Sequence, residues 1–239
     1  MSAAKQPRTP GEPAGVEDIT PAAQDFIKAV WAATEWGDPP ITTTRLAKRL
    51  GSSSANVSET ARRLASQGLI HYQPYRPVSL TTRGERLALA MIRRHRLLET
   101  FLVQVLGYSW DEVHDDAERL EHAVSPRLVE RIDAHLGHPD SDPHGDPIPL
   151  PDGRHTSPRS LRLADAGPGT YEITRVSDDD PALLAQLAAL ELVPGAVISN
   201  DDAGNVRTTT SVGSGAAIAL PDGASTAIRV RPGEPPRVP

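Results

Sequence analysis

Residues 42–81 read TTTRLAKRLGSSSANVSETARRLASQGLIHYQPYRPVSLT. The pattern predicts a short helix over TTTRLAKRLG closed by Gly51, then, after a serine turn, a second helix over ANVSETARRLASQG closed by Gly68. The next stretch, LIHYQPYRPVSLT, mixes β-branched and aromatic residues with proline punctuation and suits two short strands. Two short helices across a tight turn with a two-stranded ribbon behind them make a winged helix-turn-helix. Ser53, Ser54, Asn56, Ser58 and Glu59 are small or polar and stand at the N-terminal end of the second helix, the end that reaches base edges. Arg62 and Arg63 follow one turn later, where they suit phosphates, and Arg76 of the wing joins them as a candidate DNA-binding residue. The bland alternative is a surface helix with a capping serine.

Charge favours the nucleic-acid reading, although the chain as a whole carries −6 over 239 residues. Residues 41–100 hold eleven Lys/Arg against Glu59, Glu85 and Glu99, a local balance of +8. Residues 101–150 reverse it to −8, with eleven acids against Arg119, Arg127 and Arg131. Screening over about 8 Å at physiological salt separates the two fields, so one face can meet phosphate while another gathers cations.

Outward from this core, residues 1–18 are rich in Pro, Gly and Ala and read as a disordered tail. A first helix begins at Thr20-Pro21 and carries Phe26, Ile27, Val30 and Trp31 at helical spacing. On the other side comes a long helix over 83–106, another from Ser109 to about Val124, and a third capped by Ser125-Pro126. Residues 137–160 contain six Pro and three Gly and read as a linker or extended arm without a core of its own. Beyond it, short β-like runs interrupted by the helix PALLAQLAALE suggest a small barrel. The expected domains are a winged helix-turn-helix over 19–82, a helical domain over 83–137, a linker over 138–159, a barrel over 160–232 and a tail over 233–239.

With no cysteine, the chain has no disulfide, zinc knuckle or thiol chemistry, and any metal must be held by nitrogen and oxygen. No run approaches the roughly 20 apolar residues of a membrane span, and the N-terminus has no secretion-signal core, so a cytoplasmic location is expected. Within HDDAERLEH, His114, Glu118, Glu121 and His122 fall at i, i+4, i+7 and i+8 and project from one helical face. His95 and Glu99 make a second i, i+4 pair on the long helix, and a short turn at Gly107 would bring the two sets together. Such a pair alone is more often a surface hydrogen bond than a metal site; two on adjoining helices point to metal. There is no separate Ser/His/Asp set, no HExxH and no phosphate loop.

Taken with the winged helix, the elements RRHRLLE (93–99), VHDDAERLEHAVS (113–125) and GDPIP (145–149) resemble the diphtheria-toxin-repressor family of metal-dependent transcriptional regulators. The resemblance covers about residues 20–150, and more weakly the SH3-like (FeoA-like) domain of three-domain members over 160–232. It implies a mainly α fold: winged helix-turn-helix, helical dimerisation and metal-sensing domain, and C-terminal SH3-like β-barrel. It implies a primary metal site of Asp25, Glu118, Glu121 and His122 and an ancillary site of His95, Glu99 and His114, with Asp180 near a position from which the barrel adds a ligand. Iron-sensing members have Met and Cys where this chain has Asp25 and Glu118, so the resemblance points to the manganese-responsive branch. Small manganese regulators carry Glu one turn after the Asp; here that residue is Lys28, which favours two separated ions over a close pair.

The function so implied is not enzymatic: a manganese-activated repressor of metal-homeostasis genes, acting as a homodimer on a double-stranded DNA operator, without membrane or small-molecule substrate. Two alternatives stay open: an iron(II)-dependent repressor of the same architecture, and a metal-dependent hydrolase with a nucleic-acid-binding domain. The latter lacks any recognisable nucleophile or base beyond the ligands.

Overall fold

A computed structural model describes residues 15–156, 159–201, 205–210 and 213–233. Of the tails expected over 1–18 and 233–239, residues 1–14 and 234–239 lie outside these. The chain divides into two compact units, one running up to Arg94 and taking in Pro149–Arg154, the other comprising His95–Ile148 and the chain from His155 onward.

In the first unit, α1 (Pro21–Glu35) has proline in its first turn, α2 (Thr43–Arg49) is capped by Thr42 and α3 (Ser54–Ser66) by Ser53. Thr42 Oγ1 accepts from the Arg45 N–H and Ser53 Oγ from the Asn56 N–H, satisfying donors that the first turn leaves open. Gly51 and Gly68, both at positive φ, end α2 and α3 where the sequence places the stops. The wing is β1 (Ile70–His71) paired antiparallel with β2 (Ser79–Leu80). Phe26, Ile27, Leu46, Leu64, Leu69 and Met91 are among the residues that fill the core. The stretch read as a tail ends inside this core: residues 16–18 form a 3-10 turn, Val16 is buried, and the Gln24 side chain donates to Val16 O and Ile19 O.

The long helix α4 (Thr82–Leu106) begins in the first unit and ends in the second. In the second unit α5 (Val113–Leu120) is shorter than the helix expected over 109–124, because turns occupy both its flanks, and α6 (Pro126–His135) is capped by Ser125. Leu97, Leu98, Leu102, Val113, Ala117 and Ile148 form one core. A second core lies beneath β3 (Leu161–Arg162), β4 (Gly169–Val176), α7 (Pro181–Ala189), β5 (Val197–Asn200), β6 (Val206–Thr210), β7 (Gly213–Ile218), α8 (Ala224–Ala227) and β8 (Ile228–Pro232).

These strands form one antiparallel six-stranded sheet in the order β3-β8-β4-β5-β6-β7. The expected barrel is corrected here: among the described residues no pairing joins β3 to β7, and the sheet stays open. The cause is local. β3 contributes two residues before a 3-10 turn at Leu163–Asp165 takes its backbone out of the sheet, which leaves too short an edge for closure.

The arm read as a linker is ordered by burial of Asp142, His144, Asp146 and Ile148. His144 O accepts from the Val176 N–H, extending β4, and Gly145 at positive φ lets the backbones approach, since a Cβ there would overlap Thr174 O. Gly84 performs the same service in the first unit: a Cβ would overlap Leu69 O where α4 starts against the wing. Gly84→Ala is therefore expected to lower stability by about 1–3 kcal/mol, as overpacking does. Thermal denaturation checks this, and an unchanged melting temperature would contradict the close approach.

Candidate functional site

The first candidate surface is α3. Val57, Ala61 and Leu64 turn into the core, which leaves Ser53, Ser54, Asn56, Glu59, Arg62 and Arg63 exposed and Ser58 half-buried. Arg76 is exposed on the wing. The helix thus keeps polar groups at its N-terminal end and guanidinium groups further along, all free to meet a duplex.

The second candidate is a cluster of imidazoles and carboxylates around Glu99, whose side chain is fully buried. His95 on α4 places Nε2 3.0 Å from Glu99 Oε1 and Nδ1 2.8 Å from Glu121 Oε2. His114 on α5 places Nδ1 3.2 Å from Glu99 Oε1 and 3.1 Å from Asp178 Oδ2. From the arm, His144 Nε2–H donates to Trp110 O at 2.6 Å, which aims Nδ1 at Glu99 Oε2, 3.8 Å away. Both of those atoms are buried and have no hydrogen-bond partner among the described residues. Fixing one imidazole nitrogen on a carbonyl so that the other faces a carboxylate is how proteins orient metal-ligating histidines. Among the described residues of the second unit alone, three groupings have donor atoms close enough to share an ion: His95 with Glu99, His114 and Asp178; Glu99 with Asp142 and His144; and His95 with Glu118 and Glu121. All offer nitrogen and oxygen only, which fits manganese or iron(II).

The ionisation of the cluster follows from burial and neighbours. Burial alone would depress both histidines, but hydrogen bonds to Asp178 and Glu99 push His114 up to about 11, and Glu99 and Asp142 push His144 up to about 10. Burial raises Glu99 in turn, yet His95, His114 and His144 hold it well below the carboxylate range. Asp178 is lowered too, its burial outweighed by His114. Asp142 goes the other way, raised by burial and by Asp146 and Glu99. The site is therefore a set of buried carboxylates that requires positive charge among them.

Of the residues singled out in the sequence, His95, Glu99 and His114 come together, and Glu118 and Glu121 meet His95. His122 is partly buried with Nε2 3.8 Å from Glu121 Oε1. Asp25 lies on α1 in the first unit. Asp180 stands outside the cluster: its Oδ1 accepts from the Ala182 and Leu183 N–H groups and caps α7. Asp178, two residues earlier, takes the place in the cluster, and Asp142 and His144 join it without having been singled out. An Asp directly before a helix-starting proline, as in Asp180-Pro181, is a capping signature that separates it from its acidic neighbours. The alternation Asp142, His144, Asp146 in a proline-rich arm was the one hint of the others.

A winged helix-turn-helix in one unit and, in the other, a nitrogen and oxygen donor cluster able to hold a metal define a metal-responsive DNA-binding regulator. Residues 18–78 match the iron dependent repressor N-terminal DNA binding domain, 81–150 the iron dependent repressor metal binding and dimerisation domain, and 161–232 the FeoA domain. The iron-dependent repressor IdeR of Mycobacterium leprae (strain TN) is 32% identical over 206 residues, covering 80% of this chain and 89% of that one. The diphtheria toxin repressor of Corynebacterium glutamicum is 34% identical over 134 residues, 56% of this chain and 58% of its own. A solved manganese-dependent transcriptional repressor in complex with manganese aligns with a TM-score of 0.81 at 45% identity, covering 87% of this chain and 98% of that chain. The chain belongs to the iron-dependent repressor, or diphtheria-toxin-repressor, family. Members of this family are DNA-binding transcriptional repressors and not enzymes, and no helix among the described residues is long and apolar enough to cross a membrane.

The raised histidines set a pH signature for chelator-treated protein. A group whose pKa is higher folded than unfolded contributes stability that is complete below its unfolded value, near 6.5, and drains away as pH rises through the folded value, here about 10 to 11. The melting temperature should therefore fall between pH 7 and 10, and His114→Gln should flatten that fall. A wild-type curve no steeper than the variant's would argue against the imidazolium–carboxylate cluster.

Proposed function

We propose that this protein is a manganese-activated transcriptional repressor of metal-homeostasis genes, a cytoplasmic homodimer that binds its operator when loaded with metal. The observation that carries the metal assignment is the donor set: the groupings are built of carboxylates and imidazoles, and the chain has no cysteine. Hard, charge-rich sites suit a large ion that accepts six or so oxygen and nitrogen ligands, whereas thiolate would soften the site toward iron or zinc. The 45% identity to a repressor described as manganese-dependent supports the same choice. The IdeR relatives, at 32% and 29%, favour iron(II) as the second reading.

We assign the first metal to Asp25, Glu118, Glu121 and His122, and the second to His95, Glu99, His114 and Asp178, with Asp142 and His144 grouped on the other side of Glu99. His95 reaches carboxylates of both sets. A bound ion supplies fixed positive charge to these carboxylates. Asp25 belongs to the DNA-binding unit and the remaining ligands of the first set to the helical unit, so common ligation restricts the orientations the two can adopt. The ion favours the operator-binding population by no more than its preference for that state, and DNA must tighten metal binding equally. Exposed Val105, Leu106, Leu120 and Leu128, all within the stretch matched to the dimerisation domain, support a homodimer.

Operator binding by purified protein with manganese(II), iron(II) held anaerobically, zinc, or chelator tests the reading. Manganese should activate at least as well as iron(II), and chelator should abolish binding; binding indifferent to metal would sink the proposal. Asp25→Ala should lose metal activation while leaving the dimer folded. The competing view makes Asp25, which stands just past the first turn of α1, an ordinary helix acid contributing no more than about 0.3–1 kcal/mol through the helix dipole, and full activation in this variant would support it. Glu118→Cys should shift preference toward iron or zinc, and an unchanged order of metals would remove the stated basis of selectivity.

A further inference from the structure

The tip of the wing carries a residue that folding does not account for. The Arg76 N–H donates to Gln73 O at 3.1 Å, closing a turn with Pro74 second and Tyr75 third. Tyr75 sits at φ 65°. A third turn position with positive φ is ordinarily given to glycine or asparagine, because a bulky side chain there is strained. Packing does not offset that strain, since Tyr75 is fully exposed. A large aromatic ring is thus held out from the surface in a costly backbone conformation, and Pro74 and Pro77 stiffen the chain on both sides of it. Strain at an exposed tip points to a function for the side chain.

The surroundings specify the partner. No acid occurs between Glu59 and Glu85, and that stretch carries Arg62, Arg63, Arg76 and Arg83. The wing continues the chain of α3, and its first strand and tip lie within the region matched to the DNA binding domain. An aromatic ring beside a guanidinium, on a rigid tip, fits the minor groove of a duplex: sugar walls are apolar, A·T pairs offer only acceptors, and A-tract grooves are narrow and strongly negative.

We propose that Tyr75 is a specificity-determining DNA contact: its ring packs against the sugar walls of the minor groove flanking the site read by α3, seating Arg76 in the groove and making recognition depend on A·T-rich flanks. This rests on the DNA-binding reading and adds a residue and a sequence preference to it. The strained turn becomes intelligible, because it presents the ring already ordered and little conformational freedom remains to be lost on binding.

The test uses the full-length protein with manganese(II) and a duplex that the wild type selects from a random-sequence pool. Tyr75→Gly and Tyr75→Asn both accept positive φ, so they should melt at or above the wild-type temperature. Both should bind the selected duplex about tenfold more weakly, lose hydroxyl-radical protection in a flanking minor groove, and lose discrimination between A·T and G·C pairs there. Tyr75→Phe should keep wild-type binding, because the ring and not the hydroxyl makes the contact. Wild-type affinity and footprint in the Asn variant, or a lower melting temperature in both Gly and Asn, would overturn the inference. A wild type that enriches no duplex would instead remove the DNA-binding reading, and the inference with it.

Discussion

The buried carboxylate of Glu99 is the constraint around which the second unit is arranged. A charge taken out of water carries a desolvation penalty of several kcal/mol unless partners compensate it. Its partners come from His95 on the same helix, His114 on α5 and His144 in the arm, while Asp178 after β4 shares His114. Helices, arm and sheet are thus tied to one charge centre. Without a cation the carboxylates hold His114 and His144 in the protonated form; a divalent ion can take over that balancing charge. Metal sensing is then a property of the folded unit's own electrostatics.

A second set of buried charges holds the arm in place. Arg96, one residue beyond His95, donates to Pro147 O at 2.6 Å and places its guanidinium 3.4 Å from Asp142 and 3.5 Å from Asp146. Asp146 also pairs with buried Arg175 of β4. These bonds fix the residues on either side of His144, so its ring orientation follows from an ion-pair network as well as from Trp110. Removing one member would leave uncompensated charge in the interior, which typically costs about 3–5 kcal/mol.

Much of the fold is legible in the sequence wherever a local rule governs it. Thr42 and Ser53 before apolar periodicity, with Gly51 and Gly68 after it, define α2 and α3 because caps and left-handed stops act over a few residues. The pair His95 and Glu99 is legible because helical spacing is rigid. Asp142, His144 and Asp178 are not, because they reach Glu99 through tertiary packing of an arm and a loop, where no periodicity relates sequence distance to spatial distance. Strand patterning likewise reveals the sheet but not its closure, which depends on whether β3 is long enough to pair. Asp25 stands just past α1's first turn, and in the sequence only the resemblance to a family pattern marks it as a ligand.

Anomalous diffraction at the manganese edge, from crystals grown with manganese(II), addresses the central claim most directly. One peak should lie among His95, Glu99, His114 and Asp178, and a second, well separated, beside Glu118, Glu121 and His122. Absence of density at Glu99, or two peaks within about 4 Å of each other as in a bridged pair, would contradict a metal centre built on that buried carboxylate.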